Sequence, residues 1–336
     1  MKVFVTGYSG HLGPAVVKKL DASGAEVIGF DIDQKNVPGL ADVRGGDILN
    51  YDQVKAAMTG CDEVLHMAAI AMPFYAREQE VFNVNASGTF NVFKACAELG
   101  IKRVSVTSSV NAIGYNFGVK VRDLSYLPVD GSHPLFATDP YSYSKGVSED
   151  IGRYFYNRYG ISSVFMRLGI GINVEDIRSL RARVDGLLSL PEKEGIREVR
   201  RIEAEMDERR LYALREAPPY RNGTEYVYEC FTKEQVIWSS HVHNFLIYTH
   251  LDDLCDACVC ALSARYEGSH PIFVSDYVNM LGIESAKLAL LLYPGAKVDF
   301  DLLKGYDALA DYREAEKMIG FRAKHSFTDL YKEVFG

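Results

Sequence analysis

Tyr141 and Lys145 stand four residues apart in the segment 139–145, Asp-Pro-Tyr-Ser-Tyr-Ser-Lys, which opens a predicted helix. Side chains at this spacing project from the same helix face. A lysine ammonium one turn away stabilises a phenolate and lowers the tyrosine pKa, ordinarily about 10, so that tyrosine can act as a base near neutral pH. Ser109 ends a strand about thirty residues upstream and could hydrogen-bond the same substrate oxygen. The spacing predicts proton transfer at a hydroxyl-bearing carbon.

The N-terminal segment carries three evenly spaced glycines. Thr6-Gly7-Tyr8-Ser9-Gly10-His11-Leu12-Gly13 follows the apolar run Val3–Val5 and precedes a helical pattern over Ala15–Leu20. Unpaired N–H groups at a helix start favour a phosphate, and glycine lets the backbone approach it closely. The spacing is G-x-x-G-x-x-G instead of the usual G-x-G-x-x-G. A dinucleotide loop and a tight strand-to-helix turn without a ligand are the two interpretations.

The second predicted strand favours the dinucleotide. Glu26–Phe30 is apolar and ends in Asp31-Ile32-Asp33. A carboxylate at the tip of this strand binds a ribose 2′-hydroxyl and repels a 2′-phosphate. We therefore predict NAD in preference to NADP, with Asp31 as the ribose ligand and Asp33 as the reserve.

Strand and helix patterns alternate through the first half of the chain. The predicted strands are Val3–Val5, Glu26–Phe30, Ala41–Gly46, Glu63–His66, Arg103–Thr107 and Ser162–Arg167, and the predicted helices are Ala15–Leu20, Tyr51–Met58, Glu78–Leu99 and Tyr143–Tyr159. This order predicts an α/β fold, a Rossmann-like doubly wound parallel sheet with helices on both faces. We expect a dinucleotide-binding domain over residues 1–172 and a smaller, mixed substrate-binding region over residues 173–336.

The second half is less regular. The charged insertion at about residues 175–217 predicts one or two solvated helices, with a lid or a subunit contact as alternatives. A strand of this half is expected to return to the main sheet. The remaining predicted elements are a hairpin of Tyr226–Tyr228 and Gln235–Trp238, a strand over Phe245–Tyr248, a helix over Leu251–Ala264, a strand over Pro271–Val274, a helix over Ile283–Leu292 and two C-terminal helical pieces.

Composition excludes several classes of function. The net charge of −8 over 336 residues gives no basic footprint for nucleic acid or for an anionic membrane. No apolar run approaches a bilayer span and no secretory leader is evident, so we expect a soluble, cytoplasmic protein. The segment Cys255-x-x-Cys258-x-Cys260 has helical amphipathic spacing and predicts buried thiols. His241-x-His243 alternates as on a strand, and no metal site is predicted.

Taken together, these motifs resemble the extended short-chain dehydrogenase/reductase family, the NAD-dependent epimerase/dehydratase group. The matching residues are Thr6-Gly7-x-x-Gly10-x-x-Gly13, Asp31, Asp47-Ile48, His66-Met67-Ala68-Ala69, Asn85-x-x-Gly88-Thr89, Ser108-Ser109, Tyr141-x-x-x-Lys145 and Arg167-Leu168-Gly169. The resemblance covers residues 1 to about 172 and touches the C-terminal third only through Asp252-Asp253 and the closing helices.

The resemblance implies a role for each matching residue. Ser109 would orient the substrate hydroxyl, Tyr141 would be the acid/base, and Lys145 would also bond the nicotinamide ribose. Asp47 and Ile48 would flank the adenine, Asn85 would support the central helix, and the backbone at Gly169–Ile170 would meet the carboxamide. The implied NAD site comprises Gly7, Ser9, Gly10, His11, Leu12, Gly13, Asp31, Asp47, Ile48, Met67, Ala68, Ala69, Asn85, Thr107, Tyr141, Lys145, Leu168 and Gly169.

The residues around Ser109 narrow the choice of family member. No carboxylate follows Ser109, which disfavours dehydration, and the stretch 108–115 is most similar to uronate dehydrogenases. Val110 and Asn111 stand where those enzymes have Asn and His, and Ala71 stands where they have a serine. Arg178 is a candidate carboxylate ligand, or else a solvated helix arginine. The candidate substrate residues are Ala71, Ser109, Val110, Asn111 and Arg178.

The leading hypothesis is an NAD-dependent dehydrogenase for a small sugar or sugar acid. The alternatives are a nucleotide-sugar C4-epimerase with tightly bound NAD and a non-catalytic dinucleotide-sensing scaffold. The resemblance also implies a homodimer, formed through helices Glu78–Leu99 and Tyr143–Tyr159.

Overall fold

Seven parallel strands form one sheet in this computed structural model, which describes residues 1–118, 123–169, 174–216 and 229–327. The strands of this sheet and of a second, smaller one are β1 (Lys2–Thr6), β2 (Glu26–Asp31), β3 (Leu40–Gly45), β4 (Glu63–His66), β5 (Arg103–Ser109), β6 (Tyr126–Leu127), β7 (Ser162–Leu168), β8 (Ser269–Val274) and β9 (Lys297–Val298). The main sheet has the order β3-β2-β1-β4-β5-β7-β8, and β6 pairs with β9 in a separate two-stranded sheet. The predicted Rossmann-like α/β fold is confirmed, and β8 pairs with β7 in register from Ser163–Ser269 to Leu168–Val274.

The helices lie on both faces of the main sheet and beyond its carboxyl edge. They are α1 (Gly13–Ala22), α2 (Tyr51–Met58), α3 (Glu78–Phe82), α4 (Gly88–Leu99), α5 (Pro140–Tyr159), α6 (Val174–Leu188), α7 (Glu192–Glu216), α8 (Lys233–Val242), α9 (Leu251–Ser263), α10 (Ser285–Leu292) and α11 (Arg313–Ile319). A π-helical turn, Asn83–Ser87, joins α3 to α4, so the predicted helix Glu78–Leu99 is interrupted. Such turns are frequent at functional sites.

Two apolar clusters cover the two faces of the sheet. On one face, Val16 of α1 packs with Cys258 of α9 and Ile319 of α11. On the other face, Val54 of α2 packs with Val92 of α4 and Phe155 of α5. Strands β1, β4 and β7 between them are almost wholly buried, which explains their apolar residues.

A third cluster joins the charged insertion to the rest of the C-terminal half. The predicted helices are present as α6 and α7, but each buries one face, so the expectation of solvated helices is only half right. Leu180 and Val184 of α6 pack with Met206 of α7 and with Trp238 of α8. Acidic and basic residues cover the outer faces, where pairs such as Arg181–Asp185 form. The insertion is therefore a packed part of the fold.

Two predicted β elements are wrong. Gln235–Trp238 lies in helix α8, which Thr232 and Gln235 cap reciprocally, and its supposed partner Tyr226–Tyr228 lies outside the described residues. Phe245 and Leu246 have φ of 61° and 53°, so Phe245–Tyr248 is a turn with a single bridge residue. His241 and His243 therefore lie at the end of a helix instead of on a strand.

The predicted helix around the cysteines is confirmed as α9. Cys255 and Cys258 are buried there, and burial raises the pKa of both thiols. Over the described ranges, no helix is both long and apolar enough to cross a membrane.

Candidate active site

The glycine loop joins β1 to α1. At two of its three glycines, a side chain would collide with the protein's own backbone. Gly7 has φ +74°, and a Cβ there would lie 2.6 Å from the backbone nitrogen of Ala68. A Cβ at Gly13 would overlap the carbonyl of Tyr8. A Cβ at Gly10 would meet only the carbonyl oxygen of Gly7, at 3.3 Å. The protein leaves room above Gly10, where a ligand can approach the backbone.

A cavity of about 440 Å³ lies above this loop. Helix α1 has no side-chain cap, so the positive end of its dipole faces the cavity floor, although Gly13 N already donates to Gly10 O at 3.2 Å and Pro14 has no N–H. Asp31 closes one end, where its Oδ2 accepts hydrogen bonds from Ser9 N at 3.2 Å and Ser9 Oγ at 2.9 Å. Predicted cofactor residues that line this cavity are Gly7, Ser9, Gly10, His11, Leu12, Gly13, Asp31, Ile48, Met67, Ala68, Ala69 and Thr107.

Several predicted cofactor residues lie elsewhere. Asp47 caps the turn that follows β3, with its Oδ1 accepting from Leu49 N at 2.9 Å. Asp33 is exposed and pairs with Lys35 at 3.0 Å. Leu168 and Gly169 line a neighbouring cavity, and Gly169 N donates to Thr249 Oγ1 at 2.8 Å. Ile170 lies outside the described residues.

Asn85 fixes the loop after β4 to helix α5. Its Oδ1 accepts from Ile70 N at 2.8 Å, and its Nδ2 donates to Ile70 O at 3.1 Å and to Ser144 Oγ at 3.0 Å. The side chain is buried, so each of these bonds is shielded from water. The π-helical turn presents Asn85 at this point, between the cofactor cavity and the helix that carries Tyr141 and Lys145.

Ser109, Tyr141 and Lys145 converge on one cavity of about 600 Å³. Lys145 Nζ donates to the carbonyl of Thr107 at 3.0 Å and lies 5.8 Å from the centre of the Tyr141 ring. Ser109 Oγ accepts from Asn111 N at 3.1 Å and from Asn111 Nδ2 at 3.3 Å. Its own hydrogen is therefore left to donate, and it is directed to Tyr141.

The protonation states differ from the expectation. Burial raises the pKa of Tyr141 to about 12, although the hydrogen bond from Ser109 opposes the rise. Burial also lowers the pKa of Lys145 to about 8, while Glu149 one turn along the helix opposes that fall. Loss of solvent dominates the pKa of Tyr141 and the Asp139 carboxylate adds to the rise, which is opposite in direction to the expected lowering by Lys145.

A buried ion pair between Arg167 and Glu149 lies close to Lys145 on helix α5. Arg167 contacts both oxygens of Glu149, at 3.0 and 2.8 Å, and Ser108 Oγ donates to Glu149 Oε1 at 2.9 Å. This bidentate pair ties the end of β7 to α5 and holds a carboxylate below Lys145.

The candidate substrate residues separate into two groups. Ala71, Ser109 and Asn111 line the larger cavity. Val110 packs into the third apolar cluster, and Arg178 is exposed, with its Nη1 3.0 Å from Glu175 Oε1. Neither is among the described residues that line the cavity.

The far wall of the larger cavity was not predicted. It is formed by Asp176 of α6 and by Val236, Ser240, His241 and Asn244 at the end of α8. The sequence predicts a hairpin strand over Gln235–Trp238 and strand-like alternation at His241-x-His243, and neither pattern places these residues near Tyr141. The Thr232–Gln235 capping pair was the signal that would have revealed the helix.

Comparison with known proteins identifies the family. The model of the NAD dependent epimerase/dehydratase family matches residues 3–171. The chain belongs to this family. The predicted resemblance is confirmed, and the cofactor of the family is NAD.

Individual relatives point to two kinds of sugar chemistry. A uronate dehydrogenase of Pseudomonas syringae pv. tomato is 27% identical over 173 residues, which are 50% of this chain and 58% of that protein. A putative UDP-glucose 4-epimerase of Methanocaldococcus jannaschii is 28% identical over 172 residues, 49% of this chain and 54% of that protein. The matched part thus spans little more than half the length of each of these curated relatives.

The fold likeness extends further than the sequence match. A solved short-chain dehydrogenase/reductase superfamily protein from Agrobacterium tumefaciens, with bound NAD, superposes with a TM-score of 0.62 at 20% identity. The superposition covers 99% of this chain and 95% of that one. At this identity the likeness establishes the fold of the C-terminal half as well.

The residues of the glycine loop fit the cofactor of the family. The open space at Gly10 and the uncapped start of α1 suit a pyrophosphate. The carboxylate of Asp31 suits ribose hydroxyls. Lys35, whose Nζ lies 3.4 Å from Ser9 O, is paired with Asp33 and adds little positive charge for a 2′-phosphate.

Proposed function

We propose that this protein is an NAD-dependent oxidoreductase that transfers hydride at a hydroxyl-bearing carbon of a sugar or sugar acid, with Ser109, Tyr141 and Lys145 as its catalytic residues. In this proposal residues 1–172 bind the cofactor, and residues 173–336 complete the substrate cavity. One observation carries the proposal: the cavity above the glycine loop adjoins the cavity of the triad. Leu12, Met67, Ala69, Ala71 and Thr107 line both.

The chemistry divides between cofactor and protein. When bound, NAD would supply the acceptor for the hydride of the alcohol carbon. Tyr141 Oη takes the proton of the substrate hydroxyl as the C=O bond forms, and Ser109 donates a hydrogen bond to that oxygen. Lys145, held by the Thr107 carbonyl, keeps a positive charge beside the phenol ring. The substrate loses one hydride and one proton, which balances oxidation of an alcohol to a carbonyl.

The protonation state of Tyr141 makes alcohol oxidation depend on pH. With a pKa of about 12, Tyr141 is a neutral phenol at pH 7 and is ready to donate a proton to a carbonyl oxygen. Oxidation needs the phenolate, whose fraction grows about tenfold per pH unit below that pKa. The rate of alcohol oxidation should therefore rise with pH.

Replacement of Tyr141 by phenylalanine tests the proposal. Loss of the proton-transferring group should lower kcat for NADH formation by about 100-fold or more, while the Kd for NAD stays within about threefold, since the ring remains. Tyr306→Phe is the matched control, because Tyr306 is an exposed tyrosine outside both cavities. Equal kcat for the two variants would overturn the assignment of Tyr141.

Net NADH formation separates the dehydrogenase from the C4-epimerase. A dehydrogenase accumulates NADH in proportion to the sugar consumed. An epimerase returns the hydride and accumulates none. Conversion of the sugar without net NADH would favour the epimerase over the dehydrogenase. Bound NAD with no change in the sugar would favour the sensing scaffold.

We also propose a homodimer built from α4 and α5. Phe90 on α4 and Tyr143 and Tyr154 on α5 are exposed aromatic side chains. Phe90 and Tyr154 stack at 6.3 Å and form one continuous apolar patch across the two helices. An exposed apolar patch of this kind is typical of a protein contact.

A further inference from the structure

Two histidines from distant parts of the chain lie face to face beside the start of helix α9. The rings of His250 and His325 stack with their centres 4.1 Å apart and their planes at 24°. His250 directly precedes α9, and His325 belongs to the segment 320–327, which hydrogen-bonds back to this helix. Their side chains are 25% and 40% exposed, so an ion in solution can reach both rings.

Asp252 completes a group of three side chains that can bind a metal ion. One nitrogen of each imidazole and one carboxylate oxygen of Asp252 all lie within 4.8 Å of one another. His250 Nδ1 is 4.0 Å from Asp252 Oδ2. A tetrahedral Zn²⁺ ion with bonds of about 2.0–2.2 Å holds two ligand atoms about 3.4 Å apart. Because the side chain of Asp252 is exposed, its rotation can close the remaining distance.

Asp253 fixes the orientation of His325. Asp253 is buried, and its Oδ1 lies 2.9 Å from His325 Nδ1. The same carboxylate accepts hydrogen bonds from the backbone N of Lys324 at 3.1 Å and of His325 at 3.0 Å. A carboxylate only accepts hydrogen bonds, so His325 Nδ1 carries the hydrogen and Nε2 holds the lone pair that a metal ion needs. Metal-bound histidines almost always have a second-shell partner of this kind.

The charges around the group favour a cation. Asp252 and Asp253 lie in the first turn of α9. Asp256, one turn further, pairs with Lys19 at 2.5 Å and with Lys324 at 2.6 Å, so both ammonium groups are already compensated. The positive end of the α9 dipole opposes a cation, but it amounts to about half a charge. The two carboxylates of the first turn outweigh it.

We propose that His250, Asp252 and His325 form a binding site for Zn²⁺, with Asp253 as the hydrogen-bond partner that orients His325. Imidazole nitrogen suits Zn²⁺, whereas Mg²⁺ and Ca²⁺ prefer oxygen ligands alone. The ion joins the start of α9 to the segment 320–327 and holds this segment closed. The three ligands are not among the described residues that line the two cavities, so the inference is independent of the proposed oxidoreductase.

Titration calorimetry of the untagged protein with ZnCl₂ provides the first test, and MgCl₂ is the control titrant. We expect one Zn²⁺ per chain with a Kd of about 10 µM or below, and no binding of Mg²⁺ at about 1 mM. At free Zn²⁺ a hundredfold above its Kd, Tm should rise by about 4 °C. Absence of saturable Zn²⁺ binding overturns the proposal, as does equal binding of Mg²⁺.

His250→Asn and His325→Gln remove one imidazole each and preserve the local hydrogen bonds. His250 Nδ1 caps α9 by accepting from Asp252 N at 3.2 Å, and asparagine is a favoured residue at this position. The amide of glutamine can still donate to Asp253. Each variant should weaken Zn²⁺ binding about 100-fold or more, because it removes a metal ligand.

His270→Gln is the matched control for these variants. His270 lies on β8, where its Nε2 is 2.6 Å from Glu267 O, and its replacement should leave the Kd for Zn²⁺ unchanged within about twofold. Melting curves in EDTA report whether each variant is folded. A folded His250→Asn or His325→Gln variant with wild-type affinity for Zn²⁺ overturns the proposal.

Co²⁺ distinguishes this site from the cysteines, of which Cys230 and Cys260 are partly exposed. Co²⁺ bound by imidazole and carboxylate absorbs in the visible range without the near-ultraviolet band of a Co²⁺–thiolate bond. We expect visible bands that Zn²⁺ displaces and that His325→Gln abolishes. A thiolate band that persists in His325→Gln places the metal on a cysteine and overturns the assignment.

Limited proteolysis tests the link between α9 and the segment 320–327. Arg322 and Lys324 have exposed side chains, and trypsin cleaves after them when the segment opens. Saturating Zn²⁺ should slow this cleavage about tenfold or more, because only the closed segment holds all three ligands together. The effect should be absent in His325→Gln. Equal cleavage rates of the wild type in Zn²⁺ and in EDTA overturn the proposed link.

Discussion

Lys145→Met should make the protein more stable and inactive. In the folded protein burial lowers the lysine pKa from 10.5 to about 8. Each pKa unit corresponds to about 1.36 kcal/mol, so at pH 7 burial of the ammonium costs the folded state about 3 kcal/mol. Methionine has a similar length and carries no charge. The Thr107 carbonyl loses its donor, which costs about 1 kcal/mol. The net expectation is a gain of about 1–2 kcal/mol.

The sign of the pH dependence follows from the depressed pKa. Below pH 8 the lysine is protonated in both states, and the full penalty is present. Between pH 8 and 10.5 the folded protein has lost the proton and the unfolded chain still holds it, so wild-type stability rises relative to the variant. The advantage of Lys145→Met should therefore shrink by about 3 kcal/mol over this window.

Urea unfolding at pH 7 and at pH 10, followed by circular dichroism, measures both effects. Lys287→Met is the matched control, since Lys287 is an exposed lysine paired with Glu284, and its effect should stay within about 0.5 kcal/mol. A destabilised Lys145→Met variant at pH 7 would refute the reasoning. So would a stability difference that does not change between the two pH values.

Three further predictions concern the cofactor loop, the start of α5 and the dimer. Gly10→Ala should raise the Kd for NAD, measured by titration calorimetry, about tenfold or more and leave Tm unchanged within about 2 °C. Gly13→Ala should lower Tm by about 10 °C, because the Cβ at position 13, unlike that at position 10, overlaps the Tyr8 carbonyl. Equal effects of the two variants on Tm would contradict this prediction. Asp139→Asn should raise the free energy of unfolding at pH 7 by up to about 3 kcal/mol and have little effect at pH 4. Burial raises the pKa of Asp139 to about 6, so the contribution of this side chain to stability is lost as pH rises from 4 through 6. A difference in urea titrations that is constant with pH would count against burial as the cause. Phe90→Asp should give a monomer by light scattering with its far-UV spectrum unchanged, and a variant that stays dimeric would remove α4 from the contact.

The parts of the fold that follow from local pattern were predictable. Buried parallel strands show as runs of valine and isoleucine, and the glycine loop, Asp31 and the Tyr141–Lys145 spacing each have a local physical cause. The boundary of α5 was also readable from its Asp139 cap. These signals lie within a few residues of one another along the chain.

The cavity wall and the protonation states depend on tertiary structure. Ile237 and Trp238 are β-prone residues, and packing against α6 and α7 makes them helical. The backbone of Phe245 and Leu246 is left-handed, which no local preference predicts. The pKa of Tyr141 is set by how many atoms exclude water from it, and that quantity exists only in the folded chain.

The central claim is that the phenol of Tyr141 exchanges a proton with a sugar hydroxyl beside bound NAD. A single-turnover experiment tests it most directly. Enzyme saturated with NAD is mixed with a sugar or sugar acid that supports turnover, and absorbance of NADH is followed in wild type and in Tyr141→Phe. The account predicts that the wild type forms NADH about 100-fold or more faster at equal occupancy by NAD. Rates that agree within about threefold would contradict it.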